Sequence, residues 1–236
     1  MSKPTFARPR HAAVTQILGA LNGSFLHHAQ CYFGGGTRIV LALDEYRESA
    51  DIDFLCSSRD GYRDLRATID NKSLGKIASG KIRLAREIAA DRYGIRTFIQ
   101  IGEEKIKFEI VHEGRIDVTG SMDDSLGVSC LDENSCCAEK FLANDDRWND
   151  ESVLSRDIID LAFMIEGWGM APFLKGFALA HAAYGDSVGA AARSAAKKLL
   201  DKKTYFKKCV EGLRVTHAPT LIAGLRKIAA RRWAAA

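Results

Sequence analysis

No apolar run in this 236-residue chain approaches the roughly eighteen residues that a membrane-crossing helix needs. The opening stretch, MSKPTFARPRHAAVTQ, lacks the apolar centre of a secretory leader. The six cysteines, at 31, 56, 130, 136, 137 and 209, form no Cys-x-x-Cys pair, and no histidine stands at metal-finger spacing. Cys136 and Cys137 are adjacent, which suits neither a tetrahedral zinc site nor an ordinary disulfide. Internal repeats are missing too. A cytoplasmic protein with reduced thiols and no membrane association is therefore expected. Strong charge of one sign is also absent: the formal net charge of +4 is too small to diagnose a nucleic-acid binder by itself.

The chain has the makings of an ordinary globular protein. Hydrophobic residues make up 47% and charged residues 27%, enough apolar material for one large or two smaller cores. HAAVTQILGALNGSFLHHA carries Val14, Ile17, Leu18 and Leu21 at helical spacing. CYF reads as a short strand, TRIVLALDEY as a two-to-three-turn helix, and DIDFLC as a strand of alternating character. DGYRDLRATIDN predicts a helix, IRTFIQIG and KIKFEIVH a hairpin across the EE link, and GVSCL one more strand. Beyond residue 131 the strand signal stops and six segments of helical periodicity follow, most of them separated by Gly, Pro or Asn. The expected organisation is an α+β domain over 1–131 and an all-helical domain over 132–236.

From Arg193 to Arg232, Lys and Arg far outnumber the two acids, Asp201 and Glu211. That surplus suits either a solvated helical surface or one that faces phosphate.

The informative stretch is FGGGTRIVLALDEYRESADIDFL, residues 33–55. Glycines between a strand and a helix let the backbone approach a bulky anion, and the helix's first N–H groups then point at it. Gly35, Gly36 and Thr37 would form such a cradle, Thr37 adding a hydroxyl. The P-loop is excluded because no Gly-Lys-Ser/Thr follows, and the dinucleotide fingerprint because Ile39 stands where its third glycine belongs. Asp51 and Asp53 lie two apart on a predicted strand and so project to one face. Like charges so placed repel unless a cation offsets them. Hard oxygen donors select Mg²⁺ or Mn²⁺, which prefer carboxylate plus substrate phosphate. Solvated acids at a sheet edge are the plainer alternative, but the cradle and the acid pair together point to a nucleotide site.

A Gly-Gly turn, a spacer of about a dozen residues and Asp-x-Asp on a strand resemble the polymerase-β-type nucleotidyltransferase fold. More narrowly, GGTRIVLALDEYRESADIDF resembles the AbiEii-type nucleotidyltransferase toxins of bacterial toxin–antitoxin systems, with Arg47, Ser49, Asp51 and Asp53 at the family's Arg-x-Ser-x-Asp-x-Asp positions. AEKFLANDDR matches a helix bearing Lys140 and Arg147, and RDIIDL matches Asp-x-x-Asp-Leu, here Asp157 and Asp160. The resemblance implies a polymerase-β-like mixed sheet followed by a helical domain, with a nucleoside triphosphate bound in the cleft between them. It implies metal at Asp51 and Asp53 with Glu109 assisting, although relatives often carry Asp where Glu109 stands. It further implies Lys140 on the nucleotide's phosphates and Asp157 at the active-site edge. Read as residues alone, Glu109 could be an exposed strand position paired with a lysine, Lys140 a solvated helix residue and Asp157 a cap. Arg47 would bind phosphate or brace the Asp-Ile-Asp strand.

The expected activity is transfer of a nucleoside monophosphate from a triphosphate to an acceptor hydroxyl, and the resemblance implies a toxin whose acceptor is RNA, notably the tRNA 3′ end. A cognate antitoxin protein would be its partner. The alternatives are a small-molecule or protein hydroxyl as acceptor, or a catalytically silent nucleotide-binding module.

Overall fold

The computed structural model describes residues 5–233, so the first four residues of the basic start and the last three alanines of the closing run lie outside the described residues. The chain folds into two compact units. The first comprises residues 1–41 and 49–132; the second comprises 133–236 together with the excursion 42–48.

In the first unit, the long helical pattern near the start resolves into α1 (Pro9–Leu18) and α2 (Gly23–His28). They are separate because Asn22 caps the second, its side chain accepting from the Phe25 N–H at 3.1 Å. Next come β1 (Cys31–Gly34), α3 (Gly35–Ala42), β2 (Ile52–Cys56) and α4 (Arg59–Ala67), the last capped by Ser58. The remaining strands are β3 (Arg83–Leu84), β4 (Ala89–Ala90), β5 (Gly94–Ile101), β6 (Glu104–His112), β7 (Gly120–Asp123) and β8 (Val128–Leu131).

They build one mixed sheet in the order β3-β5-β6-β2-β1-β8-β7, with β4 also on β5. The centre sets the chemistry. β2 is antiparallel to β1, with Gly34 opposite Asp53, and parallel to β6, with Asp53 beside Glu109. Because side chains alternate, Ile52, Phe54, Phe108 and Ile110 face the apolar core while Asp53 and Glu109 share the other face. Phe54 anchors that core, its ring centroid 5.7 Å from Phe33 and 6.0 Å from Phe108.

The second unit holds α5 (Glu133–Arg147), α6 (Arg156–Gly167), α7 (Met170–Tyr184), α8 (Ser187–Asp201), α9 (Lys203–Gly212) and α10 (Ala218–Ala230). Gly176 lets α7 pack against α5 at backbone distance: a Cβ there would lie 2.3 Å from Cys137 Cβ and 2.7 Å from the Asn134 carbonyl. Phe141, Phe173, Phe177 and Trp233 cluster beside this contact. The excursion 42–48 is stitched in by backbone bonds, Glu48 N–H to Leu213 O at 3.0 Å and Thr216 N–H to Tyr46 O at 2.9 Å. Tyr46 also stacks on Phe163 with centroids 3.9 Å apart. No described helix is long and apolar enough to cross a membrane, and all six cysteines are buried and unbridged.

Candidate active site

The glycine turn and the acid strand meet within the first unit. Gly35 adopts a left-handed φ of +67°, which a side chain would oppose. Its neighbour decides the matter: a Cβ on Gly35 would stand 2.6 Å from Asp53 Oδ2. The bare backbone is thus needed because a carboxylate occupies the space. Gly35 and Gly36 are half-buried at the first turn of α3, whose unpartnered N–H groups favour an anion. Thr37 is fully buried, and its hydroxyl is hydrogen-bonded to that of Ser49 at 3.0 Å. Ser49 in turn donates its backbone N–H to His11 Nε2 at 3.3 Å. The Thr37 hydroxyl therefore ties the two ends of the 37–49 connection together.

Asp51 lies one residue before β2, not inside it, and is exposed; Asp53 is 27% exposed at its side chain. Glu109 is held differently. Arg96 Nε donates to its Oε1 at 2.5 Å, and Lys107 donates to its Oε2. Lys107 Nζ is also 4.0 Å from Asp53 Oδ1. Burial pushes the Glu109 carboxyl up, but Lys107 and Arg96 more than reverse this and hold it below the usual range. Burial lowers Lys107, yet Glu109, Asp53 and Asp51 together raise it. Sequence alternation alone could have found Lys107, two residues before Glu109 on the same strand face. Arg96 needed the register, which sets it opposite Glu109.

The donor set can be tested against a divalent ion. Among the described residues no three His, Cys, Asp or Glu side chains form a ready cage. An accessible pair, Asp51 and Asp53, fits an ion that completes its shell with water and phosphate oxygens. Glu109, expected to assist, has both carboxylate oxygens engaged by cations.

The remaining expected residues gather within the second unit. Asp160, fully buried, accepts from Tyr46 Oη at 2.6 Å and from Arg47 Nε and Nη2 at 2.6 and 2.7 Å. Arg47, expected to bind phosphate or brace β2, is only 3% exposed; its third donor, Nη1, goes to the Glu48 carbonyl. Lys140 Nζ bridges Asp157 at 3.0 Å and Asp160 at 2.7 Å. Arg147 makes two further bonds to Asp157, at 2.7 and 2.9 Å. Burial raises both carboxyls, but the cations win: Asp157 falls well below the usual range through Lys140 and Arg147, and Asp160 falls through Arg47 and Lys140. The Arg-x-Ser-x-Asp-x-Asp stretch thus divides between the units. Arg47 belongs to the second, whereas Ser49, Asp51 and Asp53 belong to the first.

Part of the basic surplus after Arg193 is paired inside the second unit. Lys198 reaches Glu151 at 3.1 Å, Lys227 reaches Glu166 at 2.8 Å, and Arg214 reaches Glu48 at 2.6 Å.

Comparison with known proteins supplies the class. The chain is similar to the crystal structure of a proposed nucleotidyltransferase from H. pylori, with TM-score 0.51 and 16% identity, 93% of each chain being covered. It is equally similar to JHP933 from Helicobacter pylori, with TM-score 0.52 and 14% identity over 95% of this chain and 94% of that one. At such identities the likeness carries the fold. No curated protein matches the chain by sequence. Residues 16–234 match the family model described as nucleotidyl transferase AbiEii toxin, type IV toxin–antitoxin system, and this chain, a nucleotidyltransferase, belongs to that family.

Proposed function

We propose that the protein transfers a nucleoside monophosphate from a triphosphate to an RNA hydroxyl, the tRNA 3′ end being the acceptor the family resemblance suggests, and that it acts as the toxin of a pair with a cognate antitoxin. One observation carries the site: the Asp53 carboxylate occupies the space against Gly35 that a side chain would fill. An anion cradle and a metal-binding acid are then a single construction.

Gly35, Gly36 and the first turn of α3 bind the triphosphate. Asp51 and Asp53 hold Mg²⁺ or Mn²⁺, which when bound offsets charge on the reacting oxygens. The acceptor oxygen attacks the α-phosphorus, the bond from that phosphorus to the α–β bridging oxygen breaks, and pyrophosphate leaves. The hydroxyl proton passes to a carboxylate of the pair. Glu109, with Lys107 and Arg96, sets the field beside Asp53. Lys140 and Asp157 take the roles the resemblance gives them.

The test supplies Mg²⁺, each α-labelled triphosphate and total RNA to the intact chain. Label is expected in RNA; label in a protein or small molecule would move the acceptor, and binding without pyrophosphate release would make the chain a silent module. Asp53→Ala should lower transfer by at least about 10²-fold with an unchanged melting temperature. Full activity in that variant would remove Asp53 from the metal site.

A further inference from the structure

A second cationic feature of the first unit has no part in this site. A cavity of about 410 Å³ is lined by Arg59, Arg63 and Arg66 of α4, by Arg92 from the turn before β5, and by Tyr62 and His112. Four arginines and one acid, Asp60, line it, and Asp91 stands close enough to Arg66 to feel its charge. The offset is weak, since Asp60 meets only Arg63, at 3.2 Å, with both side chains at least three-quarters exposed. Like charges gathered so closely repel unless an anion joins them.

We propose that this cavity binds the sugar-phosphate backbone of the acceptor RNA. The inference rests on the RNA reading above and locates where the acceptor is gripped. Arg59, Arg63 and Arg66 fall at i, i+4 and i+7 on one face of α4, a row about 10 Å long. Such a row spans successive phosphates of one strand, whereas a lone phosphate needs a single cluster. The planar guanidinium fork matches phosphate oxygens two at a time. The walls are fixed: Tyr62 is buried, donates its hydroxyl to the Asp91 carbonyl at 2.7 Å and stacks on His112 with centroids 5.4 Å apart. Arg92 lies over the Tyr93 ring at 4.6 Å, which orients its charge.

The cavity lies at the strand ends that lead to the acids. His112 ends β6 and pairs with Cys56 at the end of β2, three residues along from the Asp53–Glu109 pair. Three residues is an odd step along a strand, so His112 projects to the face opposite Asp53 and Glu109. RNA gripped at the cavity reaches those acids by passing round the end of β2 and β6, about 10 Å along the strand. The lysines and arginines after Arg193 are less suited, several being spent on intramolecular acids. An acidic protein is the rival occupant. RNA is favoured because the lining is mostly cationic and the exposed ring beside it, Tyr93, is covered on one face by Arg92.

Fluorescence anisotropy with labelled total tRNA decides it. The pair Arg63→Glu and Arg66→Glu should weaken binding at least about tenfold and lower the log–log salt slope by about two. The same reversal at exposed Lys207 and Lys208 of α9 should change affinity less than about twofold, far short of the loss of two phosphate contacts. Melting temperatures confirm that both variants fold. Wild-type protein that binds tRNA while the α4 variant binds equally well would overturn this inference alone. Equal loss in the α9 control would do the same. Wild-type protein that binds no tRNA would overturn the RNA acceptor as well. Displacement of tRNA by poly-glutamate at matched charge would assign the cavity to an acidic protein instead.

Discussion

At the scale of single residues, the site is governed by which cation sits beside Asp53. Lys107 donates to Glu109 and lies 4.0 Å from Asp53, so one ammonium serves acids that would otherwise repel. A divalent ion binding at Asp51 and Asp53 must enter against that positive charge. Lys107→Met should therefore tighten Mn²⁺ binding by about tenfold in the absence of nucleotide, the effect of about one unit of opposing charge interaction. Electron paramagnetic titration of free Mn²⁺ measures it without any turnover. Unchanged or weaker binding would mean that Lys107 does not compete for the acids. Asp53 and its glycine partner were legible because two short-range rules, period-two alternation and the glycine requirement of a tight turn, act within a few residues. Lys107 obeyed the same alternation. Arg96 and the Thr37–Ser49 hydrogen bond were illegible because they depend on strand register and on chain return.

At the scale of elements, long alternating or amphipathic stretches announced themselves, and short or locally unsupported ones did not. β5 and β6 pair over eight positions, and their apolar alternation is plain in the sequence. β3 and β4 have two residues each and exist because β5 offers an edge. The helix expected through Tyr46 stops at Ala42, since Asp44 and Glu45 take left-handed backbone and the chain turns into the second unit. That departure delivers Arg47 to Asp160. The pair is buried at 3% and 0% exposure, so removing one partner leaves an uncompensated charge out of water. Arg47→Met should cost about 3–5 kcal/mol of second-unit stability, read by denaturant titration of helix content. The double variant Arg47→Met, Asp160→Leu should recover part of that loss, although Tyr46 would lose its acceptor and Lys140 would keep only Asp157. A single variant as stable as wild type would show that the ion pair contributes nothing.

At the scale of the whole molecule, the end of the strand signal near residue 131 marked a change of architecture. The share of the second unit taken from residues 42–48 was invisible, because it depends on backbone bonds to residues 213 and 216. The stability of that unit carries a pH signature. Asp157 and Asp160 both titrate below the normal carboxylate range in the folded chain, where burial opposes ionisation but Lys140, Arg147 and Arg47 favour it more strongly. In the unfolded chain the same groups titrate at about 4. Between the folded and unfolded values the unfolded chain binds more protons, so stability rises with pH there. The contribution is complete above about pH 4 and is lost as the pH falls toward the depressed folded values. The melting temperature should accordingly decline below about pH 4, more steeply than in Asp157→Asn, which has one fewer carboxylate to protonate. That variant should also melt lower near neutrality, because Lys140 and Arg147 lose their shared counter-charge. Parallel melting curves for the two proteins from neutral to acid pH would mean that Asp157 is not held ionised by its neighbours, and that the cluster is not what couples acid to unfolding.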